Sequence, residues 1–294
     1  MLTDFITTVF VLVDDFCKIY AEYIKKRAIE SKPKVCRKPT RVPEITESEI
    51  ITIMLLYQRV GGRDFKSFYN YHLKESFKSA FPKLPTYERF IELRKRVLPI
   101  METLMYCILK KNSDELYIDS TPIRVCNNKR IHSHKVFKGL AARGKSTIGW
   151  FFGFKLHICI DSEGNLVSVT LTRGNCDDRV PVEELLKGFQ GLVCGDKGYL
   201  SQELFEKLLK KGIKLITGIK NNMKNKFMIL KEKMVLRKRS LVESVFSCLK
   251  RNFELEHSRH RSVIGFLLHI ISALIMHQFS HKKPHISKNS FCIT

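Results

Sequence analysis

The sequence predicts an α/β protein: a mixed sheet flanked by helices, preceded by an all-helical N-terminal domain. Three observations predict it. A capping box at residues 46–49 opens a helix-rich front; from Glu115 onward short apolar runs alternate with amphipathic stretches; and the turn Asp161-Ser162-Glu163-Gly164 separates two β-branched and aromatic runs, the pattern of an antiparallel hairpin. The expected divisions are 1–112 for the helical domain, 113–280 for the sheet domain and 281–294 for a basic C-terminal tail.

In the front part, Thr46-Glu47-Ser48-Glu49 before IITIMLLY starts a helix that Gly61-Gly62 ends. Further helices are expected over 64–78 and 86–111, with breaks near Pro82, Pro85 and Pro99. Arg89, Arg94, Lys95 and Arg96 give this region a basic face. That face has two readings, a helix-turn-helix entering a DNA groove or a brace for the next domain. From Glu115 on, strands are expected over 116–125, 150–160, 166–172, 191–194 and 213–217, and helices over 180–187, 202–211 and 241–254.

Composition limits the function classes. With 44% hydrophobic residues in 294, the chain can pack a core and is not a disordered basic tail. Its 52 Lys and Arg against 29 Asp and Glu, a formal charge of +23, fit a polyphosphate or nucleic-acid partner better than a small neutral substrate. Apolar residues 5–13 stand among Asp4, Asp14 and Asp15 without a basic leader, so they are not a signal peptide. The run 263–279 is nearly long enough to span a bilayer, yet His269, Ser272, His277 and Gln278 make it a buried packing helix. No membrane partner is expected. Nine scattered cysteines without a CxxC pair are reduced core thiols of a cytosolic protein, and Cys126 with His132 and His134, or His257 with His260, lack the partner cluster of a zinc finger.

Three carboxylates carry the chemistry: Asp119 in YIDST, Asp196 in CGDKGY and Glu243 in SLVESVFSCLK. The first two close apolar runs at expected strand ends, and the third begins an apolar-periodic helix. Hard cations such as Mg²⁺ prefer carboxylate oxygen, so such a trio in a basic chain points to a metal site for an anionic partner. Each has a plainer reading. Asp is common in turns, Asp177 and Asp178 of GNCDDR compete for the same role, and Ser240 with Glu243 has the spacing of a capping box. On a helical projection Val242, Val245, Phe246, Leu249 and Phe253 form the buried stripe, leaving Glu243 and Lys250 on one edge. Gly195 and Gly198 beside Asp196 are expected to let substrate approach closely.

Two basic stretches frame these acids. No acidic residue lies between Asp119 and Asp161, where Arg124, Lys129, Arg130, Lys135, Lys138, Arg143, Lys145 and Lys155 do; residues 220–239 hold eight cations against Glu232 alone. Both are expected phosphate contacts.

The ordered set YIDST, GNCDDR, GDKGY, LITGIKNNMKN and LRKRSLVESVFSCLKRNFELEHSRHRS resembles the DDE transposases of bacterial insertion sequences, with insertion-sequence family nine-eighty-two the best match. FVLVDDFCK and residues 47–96 are similar to that family too. The resemblance implies an RNase H-like catalytic domain in which Asp119, Asp196 and Glu243 are both catalytic residues and metal ligands, holding two Mg²⁺ ions that Mn²⁺ can replace. It implies that Lys250 lies near the DNA backbone. Expected DNA contacts further include Arg130, Lys197, Lys220, Lys224, Lys226, Arg237, Arg239, Arg259 and Arg261. The implied partners are the terminal inverted repeats of the element and target DNA, bound by a homo-oligomer, a dimer on DNA, in the bacterial cytoplasm at the nucleoid. Phe246 departs from relatives that carry a hydroxyl there. The alternatives are a metal-dependent nuclease without strand transfer and a DNA-binding relic without catalysis.

Overall fold

The structure is a computed structural model and describes residues 2–30, 44–62, 64–111, 113–218, 229–257 and 259–285. Its described residues fall into two compact units, one from 1–107 with 262–276 and one from 108–261 with 277–294.

The first unit is helical. Helix α1 (Leu2–Glu30) buries Ile6, Val9 and Val13, one stripe at helical spacing, and its Asp14 accepts a hydrogen bond from Ser48 Oγ at 2.8 Å. Helix α2 (Glu47–Val60) has the expected capping box: Thr46 Oγ1 accepts from the Glu49 N–H at 3.2 Å, and Glu49 Oε2 accepts from the Thr46 N–H at 2.7 Å. Gly61 stops it at φ +74°. Burial of every residue from Ile50 to Gln58 makes α2 the centre of the unit. Asp64 caps α3 (Phe65–Ser67), which runs on as a π-helix over Phe68–Ser76. Thr86 caps α4 (Tyr87–Leu93), and a 3₁₀ turn at Arg94–Val97 leads into α5 (Leu98–Ile108), with Pro99 as its second residue. The long run 263–279 forms helix α10 (Val263–Phe279); its His269 Nδ1 lies 3.1 Å from Gln58 Nε2 in the core. Within the expected basic face, Arg89 pairs with Glu92 and Arg94 lies over the Phe65 ring, while Lys95 and Arg96 are exposed.

The second unit holds the sheet. Strands β1 (Glu115–Cys126), β3 (Gly149–Ile160) and β4 (Leu166–Arg173) are antiparallel neighbours with β3 in the middle. β5 (Gly191–Gly195) and β6 (Ile213–Thr217) extend the sheet in parallel from the other side of β1, and the short β2 (Ala142–Ser146) pairs with the first residues of β3. Three antiparallel strands followed by two parallel ones, flanked by helices, is the RNase H-like arrangement. The β3–β4 turn forms as expected: Asp161 Oδ1 accepts from the N–H groups of Glu163 and Asn165, both at 2.9 Å, and Gly164 takes φ +72°. Helices α6 (Val182–Leu185) and α7 (Gln202–Lys210, capped by Ser201) contribute Val182, Leu185, Leu204 and Leu208 to a core with Leu116, Ile118 and Val193. Helix α8 (Leu230–Arg237) places the buried Glu232 on Lys214 of β6, and α9 (Ser240–Asn252) packs along β1. Among the described residues no helix is long and apolar enough to cross a membrane.

Three expectations change. The helix expected over 180–187 is a single turn, because Gly188 turns the chain away at φ +79°. Strand β2 and helix α8 come from segments that the sequence marks only as charged. Asp119 is no strand end: it is the fifth of twelve residues in β1.

Close packing of β1 on β3 requires Gly153. A Cβ there would lie 2.0 Å from the Ile123 carbonyl oxygen, a backbone atom that cannot step aside. Gly153→Ala should therefore destabilise the sheet by about 3 kcal/mol or more, at or above the usual range for overpacking. Urea unfolding measures it, and a midpoint equal to wild type would mean that the strands part without cost.

Candidate active site

Strand register brings the first two carboxylates together. β1 and β5 run parallel with Tyr117 opposite Cys194, so two residues further on Asp119 comes beside Asp196. Ile118 enters the α6–α7 core, and alternation turns Asp119 to the opposite face, which α9 covers. Asp196 follows the end of β5 and starts a 3₁₀ turn at Lys197–Tyr199 that carries its side chain into solvent.

Glu243 reaches the same place from the head of α9. Lys238 anchors that head against Glu115 at the base of β1, 3.6 Å away, and the α8–α9 junction continues in helical hydrogen bonds from Leu241 N–H to Lys238 O and from Val242 N–H to Arg239 O. Because the chain is already helical at Arg239, Ser240 is the first residue of α9 and makes no side-chain cap. The capping reading of Ser240 and Glu243 is therefore corrected: no orphan N–H stands where Ser240 could accept it. The expected stripe Val242, Val245, Phe246, Leu249 and Phe253 is buried, and Glu243 is 56% exposed beside it. Phe246 is a core residue here.

Arg239 joins the acids. Its guanidinium is 2.9 Å from Glu243 Oε1 and 3.7 Å from Asp196 Oδ1, and its charge also acts on Asp119. Asp119 is shielded: burial, with the charges of Asp196 and Asp178 adding to it, raises its pKa to about 6 against the pull of the Ser120 N–H and Arg239. Behind it, Asp178 Oδ1 accepts from Ser120 Oγ at 2.9 Å and from Lys155 Nζ at 3.0 Å, and Lys155 also donates to the Cys176 carbonyl. His157, opposite Ser120 in the strand register, is wholly buried with Nε2 2.8 Å from Thr172 Oγ1; burial lowers its pKa to about 4, so it is neutral.

Sequence reasoning undervalued Asp178, which ties Ser120 and Lys155 together beside Asp119; its signal was the doubled acid in GNCDDR. Its rival Asp177 is engaged elsewhere, with Arg179 Nε and Nη2 at 2.9 and 2.6 Å, which holds its carboxyl well below the usual range. Gly195 serves packing, not substrate approach: a Cβ would meet the Tyr199 ring at 3.0 Å and Ile118 at 3.2 Å. Gly198 faces open space.

The expected DNA contacts separate into groups. Arg130, Lys197, Arg237 and Arg261 are exposed. Lys250 pairs with Glu256 at 3.0 Å and Arg259 with Glu254 at 3.0 Å, while Arg239 belongs to the carboxylate cluster. Lys220, Lys224 and Lys226 lie outside the described residues.

As they stand, no three His, Cys, Asp or Glu side chains among the described residues are spaced to hold an ion. The donor chemistry nonetheless fits a divalent cation. Asp119, Asp196 and Glu243 offer hard oxygen only, outnumber the single guanidinium among them, and two already share that cation.

The mixed sheet thus presents carboxylates on β1, just past β5 and at the head of the helix along β1. The chain belongs to the family described as "Transposase DDE domain", whose model matches residues 110–263, and it is a DDE transposase. Among solved structures, it is similar to the piggyBac transposase in a synaptic complex with hairpin DNA, determined by cryo-EM. That match has 10% identity and a TM-score of 0.46, and covers 83% of this chain and 68% of the other.

Proposed function

We propose that this transposase belongs to insertion-sequence family nine-eighty-two and moves its element by metal-dependent strand cleavage and strand transfer. The observation that carries this reading is the meeting of Asp119 and Asp196 through the β1–β5 register with Glu243, which Arg239 links to Asp196. Asp119, Asp196 and Glu243 are the residues that would hold two Mg²⁺ ions, or Mn²⁺ in their place. Such ions, when bound, supply an activated attacking oxygen, a stabilised leaving oxygen and a neutralised phosphate.

The chain's own residues do the rest. Asp119 must give up its proton to act as a ligand, which its raised pKa ties to pH. Arg239 must release Asp196 and Glu243, and a guanidinium freed at that point has a DNA phosphate to bind. Asp178, with Ser120 and Lys155, fixes the strand that carries Asp119. Exposed Arg130, Lys197, Arg237 and Arg261 hold the duplex by phosphate contacts, joined by Lys250, Lys220, Lys224 and Lys226. The substrates are the inverted repeats at the element ends and a target duplex, bound by a homodimer, with Lys95 and Arg96 of the helical domain as added contacts.

The test is an assay in which a labelled duplex, ending in a 3′-hydroxyl at the element end, is incubated with plasmid and Mg²⁺. Joined product is expected with wild type and none in EDTA. Cutting of uncut ends without any joined product would reduce the protein to a nuclease. Binding with neither reaction would make it a catalytic relic.

A further inference from the structure

The β2–β3 hairpin takes no part in the carboxylate site, yet it carries the chain's single tryptophan. Lys145 is opposite Trp150 and Arg143 opposite Phe152, so all four side chains lie on one face of the hairpin. On that face the Trp150 ring is 52% exposed, with Arg143 Cζ 5.1 Å and Lys145 Nζ 5.9 Å from its centroid. The other face packs inward through Phe151 and Gly144, where a Cβ would strike the Gly174 carbonyl at 2.0 Å. The platform is therefore held from behind. It is also tied at its edge, where Asn128 Nδ2 donates to the Trp150 carbonyl at 2.7 Å. Exposed Lys129, Arg130 and Lys138 lie in the adjoining segment, and residues 120–160 contain no acid.

A half-exposed ring with two cations over it calls for a partner with a π-face and a negative backbone. Duplex DNA presents phosphates but hides its base faces in the stack. Unpaired DNA offers both, and stacking on an aromatic side chain tolerates any base. We propose that the exposed face of the β2–β3 hairpin binds unpaired DNA, with a base stacked on Trp150 and phosphates held by Arg143 and Lys145. This rests on the reading that the protein acts on DNA, and it adds a site for strands that have left the duplex.

The sole tryptophan is its own reporter. The full chain is titrated with a twelve-nucleotide oligo(dT), and separately with a duplex of equal length, each followed by emission at Trp150 and by anisotropy of a label on the DNA. Oligo(dT) is expected to quench the emission, and Trp150→Ala to weaken its binding by about 5- to 150-fold, the range for loss of one stacked base. Duplex affinity should stay within about twofold. Trp150→Phe, which keeps an aromatic face, should fall between. Arg143→Gln with Lys145→Gln should weaken oligo(dT) and flatten its salt dependence by about 0.7 per lost contact. Oligo(dT) binding with unchanged emission and an unchanged Kd in Trp150→Ala would overturn the proposal. So would an emission change that follows protein concentration without DNA, which would place a second copy on the ring. Failure of both DNAs to bind would overturn the DNA reading as well, a result that the duplex titration registers separately.

Discussion

Glu243→Gln is expected to give a folded protein that binds DNA and does not cut it. The side chain is 56% exposed, caps no helix, and has one observed ion pair, to Arg239 four residues before it. Such a pair contributes about 0.3–0.5 kcal/mol, so unfolding should shift by no more than that. On the proposed reading, removing its negative charge takes away a metal ligand, and the loss of cleavage should exceed the ~10–100-fold that loss of an outer partner costs. Thermal melts and a Mg²⁺ cleavage assay check the two halves together. Ser240→Ala should be close to neutral, since Arg239 before it already has helical φ and ψ and Ser240 makes no side-chain cap. Near-normal cleavage by Glu243→Gln would remove the third ligand.

Asp119→Asn should lose cleavage and gain stability at once. The fold holds this carboxyl largely out of water beside Asp196 and Asp178, which raises its pKa from 3.8 to about 6. A carboxyl that binds its proton more tightly when folded contributes stability below pH 3.8, and that contribution is lost as pH rises through 6. At pH 7.5 the wild type thus bears the full cost of an ionised Asp119, and Asn, which can still accept from the Ser120 N–H, escapes it. The variant should be more stable in EDTA at pH 7.5 by at most about 3 kcal/mol. The advantage should shrink below pH 6 and vanish near pH 4. Unfolding at pH 7.5, 6 and 4.5 gives the profile; a pH-independent difference, or a less stable variant at pH 7.5, would show that Asp119 is not destabilised in the folded state.

Much of the fold was legible because local chemistry decided it. The Thr46 cap, the glycine after α2 and the Asp161 turn act through neighbours a few residues away, and each appears where its pattern falls. The long β strands and α9 announced themselves by apolar period. β2 did not, since ARGKS has no apolar alternation and becomes a strand only by pairing with β3. α8 was hidden for a similar reason: LKEKMVLR looks like a solvated charge run, and its anchor, Glu232 on Lys214, lies on a distant strand.

The candidate site was legible as a set of residues and not as a geometry. Asp119, Asp196 and Glu243 stood out by type and place, but only the parallel register of β1 and β5 makes the first two neighbours. Ser240 and Glu243 show the limit of a spacing rule, because the same four-residue pattern fits a helix start and a helix already under way. Arg239 was one cation among three in LRKR, and nothing local distinguishes the one that meets Asp196 and Glu243. Asp178 entered as a rival ligand and emerged as the residue that links Ser120 to Lys155.

Calorimetric titration of the metal-free protein with Mn²⁺ tests whether Asp119, Asp196 and Glu243 together hold a divalent ion. Binding should be clear in wild type, should fall at least tenfold in each of Asp119→Asn, Asp196→Asn and Glu243→Gln, and should be unchanged in Glu183→Gln, whose carboxylate pairs with Lys207 and Lys211 on the surface. Equal Mn²⁺ affinity in wild type and all three site variants would contradict the account.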